Sequence, residues 1–417
     1  IDSLLQISSV APNTLIDISE NQFSNLSGSH ASRYNEVIYL FELQVTSILY
    51  AASNTLEKTQ LSLSFLKINE GIDNSTMLLI ERNNLTNSSN VTLLDLDTHS
   101  PMAVHLLENF VSGCSLELAP LIYLNFRENA THVVFSGNRF EYIMLYYEGF
   151  FQIGLIVITA QLNVTANVDF ERNWVMENRL ITRGVNPSVH GSKNALIYML
   201  TVESAITIKN STFLNNTGGT ATYFLVLLSN TVRLTDITFQ RQGRFGSPMT
   251  SIYIATQNLL IQNSFFNNNS AMSGGCLTLG ALGSQDTPIQ IDITNNTFSD
   301  NVAIQGGAIF IQNLGNYKLG GSIIGNTFAN NLANSGGSIY IEQVYITNLV
   351  LSANTYFCYF PNYANSDHIG GAIYIRNTYP RGAPLQDPLQ ITDSTITVRN
   401  NATLIKLMID VVSIFKT

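Results

Sequence analysis

The apolar positions of this chain fall in short alternating runs broken by Asn, Gly and Thr, and the clearest stretch is written twice. IQIDITNNTFSDNVAIQGGAIFI begins at Ile289, and GSIIGNTFANNLANSGGSIYI begins at Gly321. Each copy opens on a strand-like run (Ile289, Ile291 and Ile293; Ile323 with Ile324) that alternates as a half-buried strand does. Asn-x-Phe follows (Asn296 to Phe298; Asn326 to Phe328), then Asn301 or Asn331, then a Gly pair leading into a second strand. Helical repeats of similar length need apolar residues three and four apart over a dozen positions, which these β-branched runs do not offer. A fixed period of about 30 residues therefore predicts a solenoid built of strands and tight corners.

Carried along the chain, the pattern predicts an all-β protein, a right-handed parallel β-helix of roughly 13 coils. A solenoid needs no internal division, so residues 1–417 are read as one elongated domain. Residues 1–200 hold degenerate coils, 201–403 regular ones, and 404–417 a last coil or cap. Phe140, Phe170, Phe213, Phe239, Phe265, Phe298 and Phe328 are expected to stack as one buried column. Asn301 over Asn331 is expected to form an amide ladder. Gly218 with Gly219, Gly274 with Gly275, Gly306 with Gly307, Gly336 with Gly337, and Gly370 with Gly371 are expected at corners that need φ above zero.

Phe298-x-x-Asn301 followed by Gly306-Gly307-Ala308-Ile309 resembles the repeats of polymorphic outer-membrane proteins and of related extracellular β-helix proteins of protists. The resemblance covers residues 200–380 best; the second copy has Gly-Gly-Ser-Ile, and the first half of the chain lacks the Gly pairs. It implies the fold and an extracellular setting, and it brings no catalytic residue with it.

Composition narrows the function. Charged residues make up 12% of the chain, about half the usual share, while the hydrophobic fraction is 45%. The surface is thus kept wet by uncharged Asn, Ser and Thr. A net charge of −9 without a Lys or Arg cluster argues against a nucleic-acid partner. The apolar region from Ile143 to Ile158 is interrupted by Glu148 and Gln152, so two strands are expected there and no membrane span. Cys114, Cys276 and Cys358 are far apart, an odd set with no metal-ligand spacing, and are expected as small buried side chains.

Twelve Asn-x-Ser/Thr sequons stand at Asn25, Asn74, Asn84, Asn87, Asn90, Asn129, Asn163, Asn210, Asn215, Asn268, Asn295 and Asn401. They point to covalent N-glycans and a secreted or cell-surface location. A chain that opens on Ile1 is expected to have lost a leader or to be a fragment.

β-Helices also carry pectin-cleaving enzymes, and polysaccharide hydrolysis needs a pair of carboxylates across the scissile bond. The best candidates are Glu141 and Glu171, each directly after an anchor Phe and one expected coil apart, with Arg139 and Arg172 nearby. A solvated charge ladder explains them more simply. Zincin, P-loop, nucleophile-elbow and repeat-calcium spacings are missing. The sequence therefore predicts no enzyme, no cofactor and no metal. It predicts a glycosylated extracellular rod whose copies stack head to tail, since apolar strand-like runs (Leu4, Leu5, Ile7; Val411, Val412, Ile414) stand at both ends of the chain. The alternatives are an adhesin that binds a receptor or glycan through its loops, and, after that, a carbohydrate-active enzyme.

Overall fold

One coil explains the rest. The strand Ile289–Thr294 buries Ile289, Ile291 and Ile293 and faces Gln290 and Asp292 outward. It ends at Asn295, whose φ of 56° is left-handed, and the chain turns into the short strand Thr297–Ser299. Only Phe298 of those three points inward. A second left-handed residue, Asp300 (φ 57°), makes the next corner, and the strand Ile309–Gln312 completes the circuit. Every strand pairs in parallel with its counterpart one coil away, so the protein is an all-β parallel β-solenoid.

The computed structural model describes residues 3–7, 15–24, 36–41, 48–58, 64–69, 76–99, 102–117, 119–127, 132–147, 154–182, 195–218, 223–242, 252–282, 287–312, 318–342, 345–359, 372–377, 390–392, 395–399 and 408–411. About nine turns of about 29 residues are closed among them, fewer than the roughly 13 expected. The described residues form two compact units, Ile1–Thr222 and Tyr223–Thr417.

In the first unit the inward column of the short strands is Phe23, Leu56, Leu85, Val111, Phe140, Val175 and Phe213, half-buried at Phe23 and buried at the other six. Phe170 is not part of it, contrary to the sequence reading. It lies on Asn167–Glu171, in register with Phe135 and Ile208, and reaches the column only through its ring, 6.1 Å from that of Phe213. The misplacement comes from coil length: Asn138 and Asn173 are laddered across 35 residues, not 30, so a spacing of 30 lands on a different strand.

In the second unit the column runs Phe239, Phe266, Phe298, Phe328 and Tyr356. The last four rings lie parallel, 4.8, 5.0 and 5.0 Å apart between centroids, which is the strand spacing itself. Phe265 is corrected to the outside, 38% exposed, because successive strand residues face opposite ways and Phe266 takes the inner place.

Asparagine ladders hold the corners. In the second unit Asn296 Nδ2 donates to Asn326 Oδ1 (3.0 Å) and to the Ile261 carbonyl (3.0 Å), and Asn326 repeats this toward Asn354 and Ile293. A second ladder links Asn269, Asn301 and Asn331, as the repeat implied. The first unit has the same device from Asn54 through Asn83, Asn109 and Asn138 to Asn173. Each amide thus satisfies buried backbone groups that a corner would otherwise leave orphaned.

The Gly pairs do two separate jobs. Gly306 needs its φ of 60°, while Gly307 needs to have no side chain, since a Cβ there would lie 2.0 Å from the Gly337 carbonyl oxygen. Gly274 and Gly275 repeat the arrangement, and Gly336 has the same φ. Gly218 follows the bridge between Arg179 and Thr217, whereas Gly219, Gly370 and Gly371 lie outside the described residues.

Candidate functional site

Seven of the eight described sequon asparagines have the left-handed backbone of a corner, and the corner explains why. Around Asn295 the order is a left-handed residue, a ladder residue (Asn296), an outward strand residue (Thr297) and a buried ring (Phe298). Asparagine is the side-chain-bearing residue best suited to the left-handed region, and Thr suits an outward strand position. Together they spell Asn-x-Thr. Of the eight described sequon asparagines, seven have positive φ: Asn87, Asn90, Asn163, Asn210, Asn215, Asn268 and Asn295. Asn84 instead opens the short strand Asn84–Thr86. Asn25, Asn74, Asn129 and Asn401 lie outside the described residues.

The amides differ in freedom. Asn210 and Asn268 are exposed and make no side-chain hydrogen bond among the described residues, and Asn163 is likewise exposed. Asn90 Oδ1 accepts the backbone N–H of Glu117 at 2.8 Å. Asn84 Oδ1 is buried without a partner among the described residues. Asn87 and Asn295 lie over Gly113 and Gly325 one coil away, where a Cβ would approach their Oδ1 atoms to 2.8 and 2.7 Å. Glycine at those two positions makes room for the amide.

The acidic pair does not assemble. Glu141 ends a short strand in register with Ser112 and Met176, is almost buried, and is paired with Arg139 at 2.8 Å. Glu171 ends a leading strand in register with Ser136 and Lys209, with Arg172 at 3.8 Å. The two carboxylates belong to different sheets, displaced by the same five extra residues that misplaced Phe170. Asp236 sits at a left-handed corner and Asp292 on an outward strand position, so they occupy different phases of the coil.

Other polar groups come together that the sequence did not single out. In the first unit Arg127 Nε donates to Asp97 Oδ1 at 2.8 Å, Asn125 Nδ2 donates to the same oxygen at 2.9 Å, and Thr159 Oγ1 donates to Asn125 Oδ1 at 2.8 Å. His132 contacts Asp169, and His105 nearby is held below the usual imidazole range by burial and by His132. Cys114 and Cys276 are buried free thiols, and burial pushes Cys114 up to about 11, so neither is a ready nucleophile at neutral pH. The side chain of Cys358 lies outside the described set. Among the described residues no cluster of three His, Cys, Asp or Glu could hold a metal ion, and no helix is long and apolar enough to cross a membrane.

These features define a class: a parallel β-solenoid whose Asn, Phe and Gly residues are spent on its own stacking and whose corners present Asn outward. No family model, curated protein or solved structure matches the chain.

Proposed function

We propose that this protein is an extracellular structural protein, N-glycosylated at its corners, whose copies stack along the coil axis into a fibre. The observation that carries the reading is the pair of Asn ladders with the ring column between them. A coil offers its neighbour a surface of amides, rings and strand edges, and head-to-tail stacking would use the same kind of surface between copies. The likeness of Phe298-x-x-Asn301 and Gly306-Gly307-Ala308-Ile309 to polymorphic outer-membrane repeats supports the extracellular setting. Negative-stain imaging of the full chain at rising concentration is the test. Filaments are expected; a monodisperse monomer at every concentration overturns stacking and moves the adhesin reading into first place. That second reading has its own support, since coil length varies from 26 to 38 residues in the first unit while the ladder persists, which puts the variation in the loops.

Sugar is expected first on Asn210 and Asn268, whose amides are exposed and unengaged. Asn84, with its amide oxygen buried, is expected bare. Glycopeptide mass spectrometry of protein from a glycosylating host reads this directly, and a finding that every corner asparagine is unmodified removes the glycoprotein part of the proposal.

A further inference from the structure

On the outer face of the second unit, four neighbouring strands line a shallow groove of about 330 Å³ that is open to solvent. Its walls are two outward columns. Thr231, Asn258, Gln290 and Gly320 lie in register across the strands, and beside them run Arg233, Leu260, Asp292 and Ser322. The floor drops where glycines stand at 320 and 321. Gly321, at φ 111°, tolerates no side chain, since a Cβ would lie 2.0 Å from the Ile291 carbonyl oxygen. Directly beyond, the pairing of Lys318–Ile324 with Tyr345–Ser352 is irregular between Leu319 and Gly320, a bulge of the kind that re-aims outward side chains.

What distinguishes this face is that its polar side chains are left open. The side chains of Thr231, Arg233, Asn258 and Gln290 have no hydrogen-bond or ion-pair partner among the described residues, and Asp292 accepts only the Ser322 hydroxyl, at 3.1 Å. On the outer face of the first unit the comparable groups are consumed by one another, in the network of Arg127, Asp97, Asn125 and Thr159. In the groove, one cation and one anion cancel. Amides and hydroxyls supply both donors and acceptors, and the half-exposed Leu260 puts an apolar patch in the middle. Four strands span roughly 14 Å, so the open groove suits an elongated ligand laid along the surface and not one swallowed in a cavity. A ligand fitting this lining is uncharged, rich in hydroxyls, elongated, and has C–H faces to lay on Leu260.

We propose that this groove binds a neutral oligosaccharide, with Arg233, Asn258, Gln290 and Asp292 bonding its hydroxyls and Leu260 packing under a ring. The proposal stands whether or not the chain carries sugar of its own and whether or not it forms fibres. It is tested by isothermal titration and saturation-transfer NMR of the full chain with chitotriose, mannotriose and cellotriose. At least one is expected to bind with a millimolar or tighter Kd, and Arg233→Ala and Asp292→Ala are each expected to weaken it about tenfold, as loss of a charge-assisted hydrogen bond does. Lys58→Ala, in the first unit, is the control and is expected to leave binding unchanged. Oxidative footprinting of the unsubstituted protein gives a second readout that needs no variant: bound sugar protects Leu260. Absence of binding by all three sugars, or binding indifferent to both groove variants and without protection of Leu260, overturns the proposal.

Discussion

Asn326→Ala is expected to destabilise the protein by about 3–5 kcal/mol, because truncation orphans several buried groups at once and each costs about 1–3 kcal/mol. Asn326 Oδ1 accepts both the backbone N–H and the side-chain N–H of Asn296, at 2.9 and 3.0 Å. Its Nδ2 donates to the carbonyls of Ile293 and Ile324 and to Asn354 Oδ1, at 2.8, 3.1 and 3.1 Å. Alanine leaves the Asn296 N–H and the Ile293 carbonyl without partners in a site that is 1% exposed. Asn326→Asp is the sharper test, as it keeps the shape. The carboxylate can still accept from Asn296 but meets three acceptors where Nδ2 donated, so at neutral pH it should cost at least as much as Ala. The buried acid would have a folded pKa above the unfolded value near 3.9. Its stability is therefore fullest below that value and is lost as pH rises, so acidification should recover part of the loss. Chemical denaturation of the full chain across pH measures both variants, and a loss under about 1 kcal/mol for Ala would mean the ladder is ornamental.

Phe266→Ala is expected to cost about 3–5 kcal/mol, and Phe265→Ala, one residue earlier, about 0.5 kcal/mol or less. Phe266 is fully buried and stacks on Phe298 at 4.8 Å with an interplanar angle of 6°. Its removal empties one place in a ring column and uncovers the faces of Phe239 and Phe298. Phe265 is on the outer side of the same short strand, in register with Thr238 and Thr297. Thermal or denaturant melts of the two variants side by side decide the register. Equal losses would place both rings in partial contact with the core and break the alternation on which the whole inner column rests.

The contrast between those two residues marks where the sequence was legible. The doublet from Ile289 to Ile341 displayed strand, corner and ladder in equal steps, because its ladder spacing of 30 residues matched the expected period. Phe298 over Phe328 and Asn301 over Asn331 therefore came out as read. Ser264-Phe265-Phe266 was ambiguous only when Phe alone served as the marker. The ladder residue that opens each short strand fixes the phase, since the buried side chain of that strand stands two positions after it, as Asn296 precedes Phe298 and Ser264 precedes Phe266. The first unit looked degenerate for the same reason: its short strands bury Leu and Val as often as Phe, yet its Asn ladder is unbroken from Asn54 to Asn173. The outward groove was out of reach because its walls form only when coils of unequal length, stepping 27, 32 and 30 residues, are brought into register.

The left-handed corners also have an evolutionary side. Asn263 and Asn330 occupy such corners with φ of 51° and 55°, but their second-following residues are Phe265 and Leu332, so neither is a sugar acceptor. Phe265→Ser, a change of one nucleotide, completes a sequon at Asn263 and disturbs nothing inside the solenoid, because position 265 faces out. The left-handed corners thus hold asparagines one outward substitution away from a sequon, in a backbone conformation the fold already requires. Single outward substitutions of this kind add or remove sequons while the inner columns stay fixed.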